Sequence, residues 1–154
     1  AVGGFDGVRL SSVERYDPAA NAWEAVASMA ELRDELAIAV LDGKLYAVGG
    51  LNDDGWLSSV ERYDPAANAW EAVASMAELR DELAVAVLDG KLYAVGGYGG
   101  GVGRLSSVER YDPTANAWEE VAPMMVARDE LAVAVLDGKL YAVGGHGGFN
   151  NGVL

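Results

Sequence analysis

The chain alternates apolar runs and turn signals on a short, regular beat. Residues 83–88, Leu-Ala-Val-Ala-Val-Leu, form one continuous apolar run. That is the pattern of a strand covered on both faces. Asp89-Gly90 follows, a two-residue hairpin signal, because glycine takes positive φ without steric cost. Residues 91–95 then read as a second strand. It ends at Gly96-Gly97, where absent side chains let another backbone approach. Residues 106–111 read as a third strand, with Val108 and Arg110 alternating against Glu109 and Tyr111. Asp112-Pro113 starts a turn, and residues 118–121 make a fourth strand. A helix competes for residues 66–77, which are alanine-rich. That stretch is short and carries Trp70 and β-branched Val73 near its centre, both weak helix formers. The pattern therefore predicts an all-β chain built from units of four antiparallel strands.

The units are copies. Leu-Ser-Ser-Val-Glu-Arg-Tyr-Asp-Pro begins at Leu10, Leu57 and Leu105. Tyr16, Tyr63 and Tyr111 are 47 and 48 residues apart, and Trp23, Trp70 and Trp118 keep that spacing. So do Gly49-Gly50, Gly96-Gly97 and Gly144-Gly145. Between residues 10–50 and 57–97 a single position differs, Ile38 against Val85. A period of this length is the mark of a repeat architecture in which each unit buries its apolar face against the next. We divide the chain into repeats at about 10–56, 57–104 and 105–154, with 1–9 closing a preceding repeat, all within one domain spanning 1–154.

The repeat resembles the kelch motif. That family's pattern is an apolar strand, a short turn, a Tyr-bearing strand ending in Gly-Gly, then Tyr-Asp and a later Trp. Here these are residues 83–87, Tyr93 with Gly96-Gly97, Tyr111-Asp112 and Trp118. The family's Arg before the apolar strand is matched by Arg33, Arg80 and Arg128. No Trp-Asp dipeptide occurs, which counts against the other common propeller repeat. The resemblance implies β-propeller blades of four strands, A to D outward from the axis, and small residues such as Ala84 and Ala86 suit a crowded axis. Read this way, the chain opens in a B strand, runs through C and D, builds two whole blades and closes on A and B. That is three blades' worth of strands. Propellers generally have four to eight blades, and open blade edges are templates for association. A head-to-tail homodimer would complete a six-bladed ring.

The resemblance also directs attention to one rim. The A–B and C–D turns are repeated Asp-Gly and Asp-Pro signals, whereas the D–A and B–C loops carry everything unusual. The D–A loops hold Arg33-Asp34-Glu35, Arg80-Asp81-Glu82 and Arg128-Asp129-Glu130. They should ring the channel mouth, which peptide-binding family members use. The alternative role for each Arg is to pair with a neighbouring carboxylate and prop up its loop. The B–C loops are where the copies diverge, and each carries an aromatic: Phe5, Trp56, Tyr98 and Phe149. Exposed loop aromatics are frequent recognition anchors, though each could instead pack on its own blade. His146 opens the last of these loops and completes the candidate binding set.

Charge then narrows the partners. With 11 basic and 24 acidic residues the formal net charge is -13. A field of that sign repels phosphate backbones and favours basic partners, although acidity also simply aids solubility. No apolar run reaches the roughly 18 residues of a membrane helix, so neither a nucleic acid nor a membrane is the expected partner. The absence of cysteine excludes disulfides, thiolate metal sites and cysteine nucleophiles. It is compatible with the cytoplasm, the expected location. The chain opens without Met and in mid-motif, as a segment of something longer would.

Catalysis lacks an inventory. His146 is the sole histidine, and a metal site needs several converging ligands. Copper oxidases with kelch-like propellers use Cys, Tyr and His, a set this chain does not have. The glycines of residues 96–103 lack a phosphate-loop pattern, and Asn52-Asp53-Asp54-Gly55 is too incomplete for a calcium loop. No catalytic residue, cofactor or metal is expected. The favoured reading is a non-catalytic protein-binding or scaffolding module working through the D–A and B–C rim, with a basic protein or peptide partner. The alternatives are an accessory propeller of a larger enzyme and a purely structural repeat assembly.

Overall fold

The computed structural model describes residues 1–148 and the backbone of 152–153. Two complete blades stand at its centre. The first comprises β3 (Ala37–Leu41), β4 (Lys44–Val48), β7 (Val60–Asp64) and β8 (Ala69–Val73), hydrogen-bonded in that order; β5 (Leu51–Asn52) and β6 (Gly55–Trp56) form a small hairpin in its B–C loop. The second comprises β9 (Ala84–Leu88), β10 (Lys91–Val95), β11 (Val108–Asp112) and β12 (Ala117–Val121). A C–D pair, β1 (Val13–Asp17) and β2 (Ala22–Val26), precedes them. An A–B pair, β14 (Ala132–Leu136) and β15 (Lys139–Val143), follows. Every pairing is antiparallel. The all-β, four-stranded expectation holds, and the alanine-rich stretch is β8 and its turn rather than a helix.

The predicted turns form as their residues require. Asp42-Gly43, Asp89-Gly90 and Asp137-Gly138 all have positive φ at both residues, the shape of a tight hairpin turn whose twist matches its strands. At the C–D turns Asn68 and Asn116 take positive φ, which asparagine tolerates. Asn68 Oδ1 accepts from Tyr63 Oη at 2.8 Å and from the Ala27 amide of the preceding blade at 3.0 Å.

Blades are joined by aromatics and by buried charge. Trp70 Nε1 donates to Ala27 O at 2.9 Å, and Trp118 Nε1 donates to Ala74 O at 2.8 Å, each one blade back. Tyr63–Trp70 and Tyr111–Trp118 pack as tilted cross-strand pairs, with centroids 5.2 and 5.1 Å apart. The core between blades gathers Tyr46, Val48, Val60, Leu92 and Tyr111. The inner strands β3, β9 and β14 lie side by side, so the D–A loops that precede them converge at the channel mouth.

Candidate functional site

Each D–A loop is pinned to the B–C loop of the blade that follows. Asp34 exchanges backbone hydrogen bonds with Leu51, with N···O distances of 2.9 and 2.8 Å. Asp81 does the same with Tyr98 at 3.1 and 2.8 Å. At the third loop β13 (Arg128–Asp129) pairs with β16 (His146–Gly147), which in turn pairs with β17 (Gly152–Val153). The diglycines make this possible. A side chain on Gly97 would lie 2.5 Å from Asp81 O, and φ there is 95°, so only glycine admits the loop.

The arginines of the triplets revise the expectation. Arg33 and Arg80 are fully buried and present no face to a ligand. Arg80 donates to Gly96 O (2.8 Å), Ser107 O (3.1 Å), Ser107 Oγ (2.8 Å), Glu78 Oε2 (2.8 Å) and Glu109 Oε1 (3.1 and 3.2 Å). Arg33 makes the matching set with Gly49, Ser59 and Glu61. Glu61 and Glu109 are buried too, and they also accept loop amides: Ala30 and Glu31 at Glu61, Ala77 and Glu78 at Glu109. Fixed donors surround both charges, as burial demands. These arginines prop up the loops, the alternative role raised by the sequence. Arg128 is half-buried, with Nη1 donating to Gly144 O at 2.7 Å.

What remains at the mouth is acidic. Glu35, Glu82 and Glu130 all have φ of 50–51°, a left-handed conformation that costs a side-chain-bearing residue about 1–2 kcal/mol. Glu82 N donates to Glu35 O at 3.0 Å and Glu130 N to Glu82 O at 2.9 Å, so the three run around the axis. Leu36, Leu83 and Leu131 line the channel beneath them. Burial, then its neighbours Glu35, Asp129 and Glu130, raises the Glu82 carboxyl above its ordinary range. Asp81 is pushed up to about 7, first by burial, then by a hydrogen bond to Glu35 and the charges of Glu82 and Glu35.

The aromatics divide. Trp56 and Tyr98 meet at the mouth with ring centroids 6.4 Å apart. Phe5 is exposed and bridges to Arg9 within its own loop. Phe149 lies outside the described residues. His146 is half-exposed, with Nδ1 3.8 Å from Asp129 Oδ1 and 3.4 Å from Glu130 Oε2. Sequence reasoning missed Arg104, whose Nε is 2.8 Å from Asp129 Oδ2, and missed Glu61 and Glu109 as the arginine partners. The signal for Arg104 was its place: Arg9, Trp56 and Arg104 each immediately precede the repeated Leu. Among the described residues no group of three or more His, Cys, Asp or Glu could hold a metal ion, and no helix is long and apolar enough to cross a membrane.

The family model described as Kelch motif matches residues 1–30, 33–77 and 80–125. The chain belongs to the kelch family. Its kelch repeats are similar to mouse (Mus musculus) Kelch-like protein 35, 54% identical over 56 residues, which is 36% of this chain and 10% of that protein. They are also similar to human (Homo sapiens) Kelch-like protein 5, 52% identical over 50 residues, covering 32% of this chain and 7% of that protein. The matches thus span about a tenth or less of these curated relatives. The kelch fold is seen again in the solved structure of YjhT, with a TM-score of 0.79 and 18% identity over 94% of this chain and 57% of that one.

Proposed function

We propose that this kelch segment is a non-catalytic protein-binding module whose D–A and B–C rim takes a basic polypeptide segment. The observation that carries this is the mouth itself. Three glutamates hold a strained backbone shape side by side around the axis, while of the arginines in the same loops Arg33 and Arg80 are withdrawn into the blades and Arg128 is half-buried, bonded to Gly144 O. The accessible charge at the mouth is therefore dominated by carboxylate, and strained backbone tends to gather at functional sites. A basic peptide array tests this against the chain and its Glu35→Gln/Glu82→Gln/Glu130→Gln variant. Peptides should bind the chain and lose most of their signal on the variant, while the melt stays nearly unchanged. Binders indifferent to the three changes, or an array with none, would overturn it.

We infer also that the 154-residue chain associates head to tail with a second copy, giving six blades. The two open edges are complementary by the repeat's own template. Glu14 is exposed where Glu61 and Glu109 are buried against arginine, and among the described residues β15 pairs only with β14. Tyr16 is exposed where Tyr63 and Tyr111 are buried, and Trp23 is exposed where Trp70 and Trp118 are half-buried. An apolar cavity of about 300 Å³, lined in part by Val121, Met124, Val133 and Ala142, lies beside the final A–B pair. In the complete blades Val48 pairs Val60 and Val95 pairs Val108, so Val143 would pair the partner's Val13. Residues 1–2 now bridge to Val13 and Glu14 and would give way to the longer β15.

A further inference from the structure

The mouth is not uniform around the axis. Where the B–C loops of both complete blades and of the final A–B pair meet the second and third D–A loops lies a cavity of about 580 Å³, with Trp56 and Tyr98 as its aromatic walls. Asp81 and Asp129 also line it and are 5% and 3% exposed. Oδ1 of each accepts no hydrogen bond. Oδ2 of Asp129 is held by Arg104. Burying a carboxylate oxygen with no donor is costly, and here two residues that line one cavity each carry such an atom. The matching junction one blade earlier differs: Arg9 stands where Trp56 does, Leu51 where Tyr98 does, and Asp34 is half-exposed.

Deepening the rim reading and resting on it, we propose that this cavity seats one arginine side chain of the partner polypeptide, stacked on Trp56 and forked to Asp81 and Asp129. Guanidinium is the group that fits all three features. It is planar and stacks on aromatic faces, and its fixed fork of donors can serve two acceptors at once. An ammonium offers a point charge without the plane, and a neutral side chain leaves the carboxylate charge uncompensated.

Protons compete for the same site. Asp81 is pushed up to about 7, with burial as the main cause. Facing it are Glu35, Glu82, Asp129 and Glu130 from the D–A loops, and Arg104 and His146 from the B–C loops. Arginine needs the ionised carboxylate, so its binding releases a proton and tightens as pH rises from 6 to 8. Glu82, raised by burial and by its acidic neighbours, also lines the cavity and acts in the same direction. Asp81→Asn should therefore remove most, not all, of the pH dependence.

The test titrates capped Gly-Arg-Gly into the full chain carrying ¹⁵N-labelled tryptophan, following the Trp56 indole signal, with capped Gly-Lys-Gly and Gly-citrulline-Gly in parallel. The arginine peptide should shift that signal saturably and bind at least fivefold tighter than either control. Trp56→Ala, at an exposed position, and Asp81→Asn should each cost fivefold or more at pH 8, for Trp56 the upper scale of a cation–π contact at an exposed site. Citrulline binding as well as arginine, or affinity indifferent to both substitutions, would overturn the proposal. The rim reading fails separately: longer basic peptides that bind the chain but ignore Trp56→Ala and Asp81→Asn sink the cavity and keep the rim. A capped arginine that binds while longer basic peptides gain nothing over it does the reverse.

Discussion

Replacing Arg80 by methionine keeps the length of the side chain and removes its charge. In the intact blade the guanidinium donates to two backbone carbonyls, a serine hydroxyl and the carboxylates of Glu78 and Glu109. Glu109 is 2% exposed. After the change it keeps only the Ala77 and Glu78 amides, at 2.7 and 3.2 Å, to offset a buried charge. Breaking a buried ion pair from one side costs about 3–5 kcal/mol. The repeats supply internal controls. Arg33→Met should cost the same, because its environment is the same. Arg128→Met should cost about 1 kcal/mol, the worth of an ordinary hydrogen bond, since Arg128 is half-buried and bonds Gly144 O. Removing both charges, in Arg80→Met/Glu109→Leu, should recover much of the loss. Urea unfolding followed by tryptophan fluorescence, at concentrations where the chain is monomeric, reads all four variants. Equal losses at Arg80 and Arg128, or no recovery in the double variant, would refute the buried-lock reasoning.

Trp70→Ala should cost about 2–3 kcal/mol in the same assay, below the roughly 3–5 of a fully buried large aromatic, because Trp70 is half-buried while its indole N–H bonds Ala27 O; an unchanged melt would count against it. Asp81 carries a pH signature: its folded value of about 7 lies above the ordinary 3.8, so the folded state is progressively destabilised as pH rises from about 4 to 7, by at most about 4 kcal/mol at ~1.4 per unit. Asp81→Asn should accordingly raise the melting temperature at pH 8 and leave it nearly unchanged at pH 4; equal effects at both would contradict the assignment. Light scattering of the 154-residue chain should give the mass of two copies, with the penalty of Arg128→Met growing in the dimer as Glu14 of the second copy becomes its partner; a stable monomer at high concentration would end the ring proposal.

The strands were legible because each unit repeats its own punctuation. Residues 91–95 were read to the residue as β10, and the other strands shifted by one or two positions at their ends. The Trp residues were legible as blade joints because indole offers both area and a donor. The triplets were less legible. An Arg beside Asp and Glu looks like surface charge, yet its lasting partner, Glu61 or Glu109, is 28 or 29 residues further on. Only the fold brings that inward-facing strand residue to the loop. The left-handed glutamates were invisible for another reason: glycine announces positive φ, and glutamate does not. The small hairpin of β5 and β6 was hidden because it lies in a loop that differs between copies, where no repeat guides the reading.

The central claim, that the acidic mouth binds a basic segment, is tested most directly by the salt dependence of one titration. A basic peptide selected on the chain would be titrated by calorimetry at rising ionic strength, in parallel with the Glu35→Gln/Glu82→Gln/Glu130→Gln variant. Screening sets in over about 10 Å at 0.1 M salt. Affinity for the chain should therefore fall steadily as salt rises, and the variant should bind weakly with a much flatter dependence. Affinity that is independent of salt, or a variant whose titration overlays that of the chain, would contradict the account.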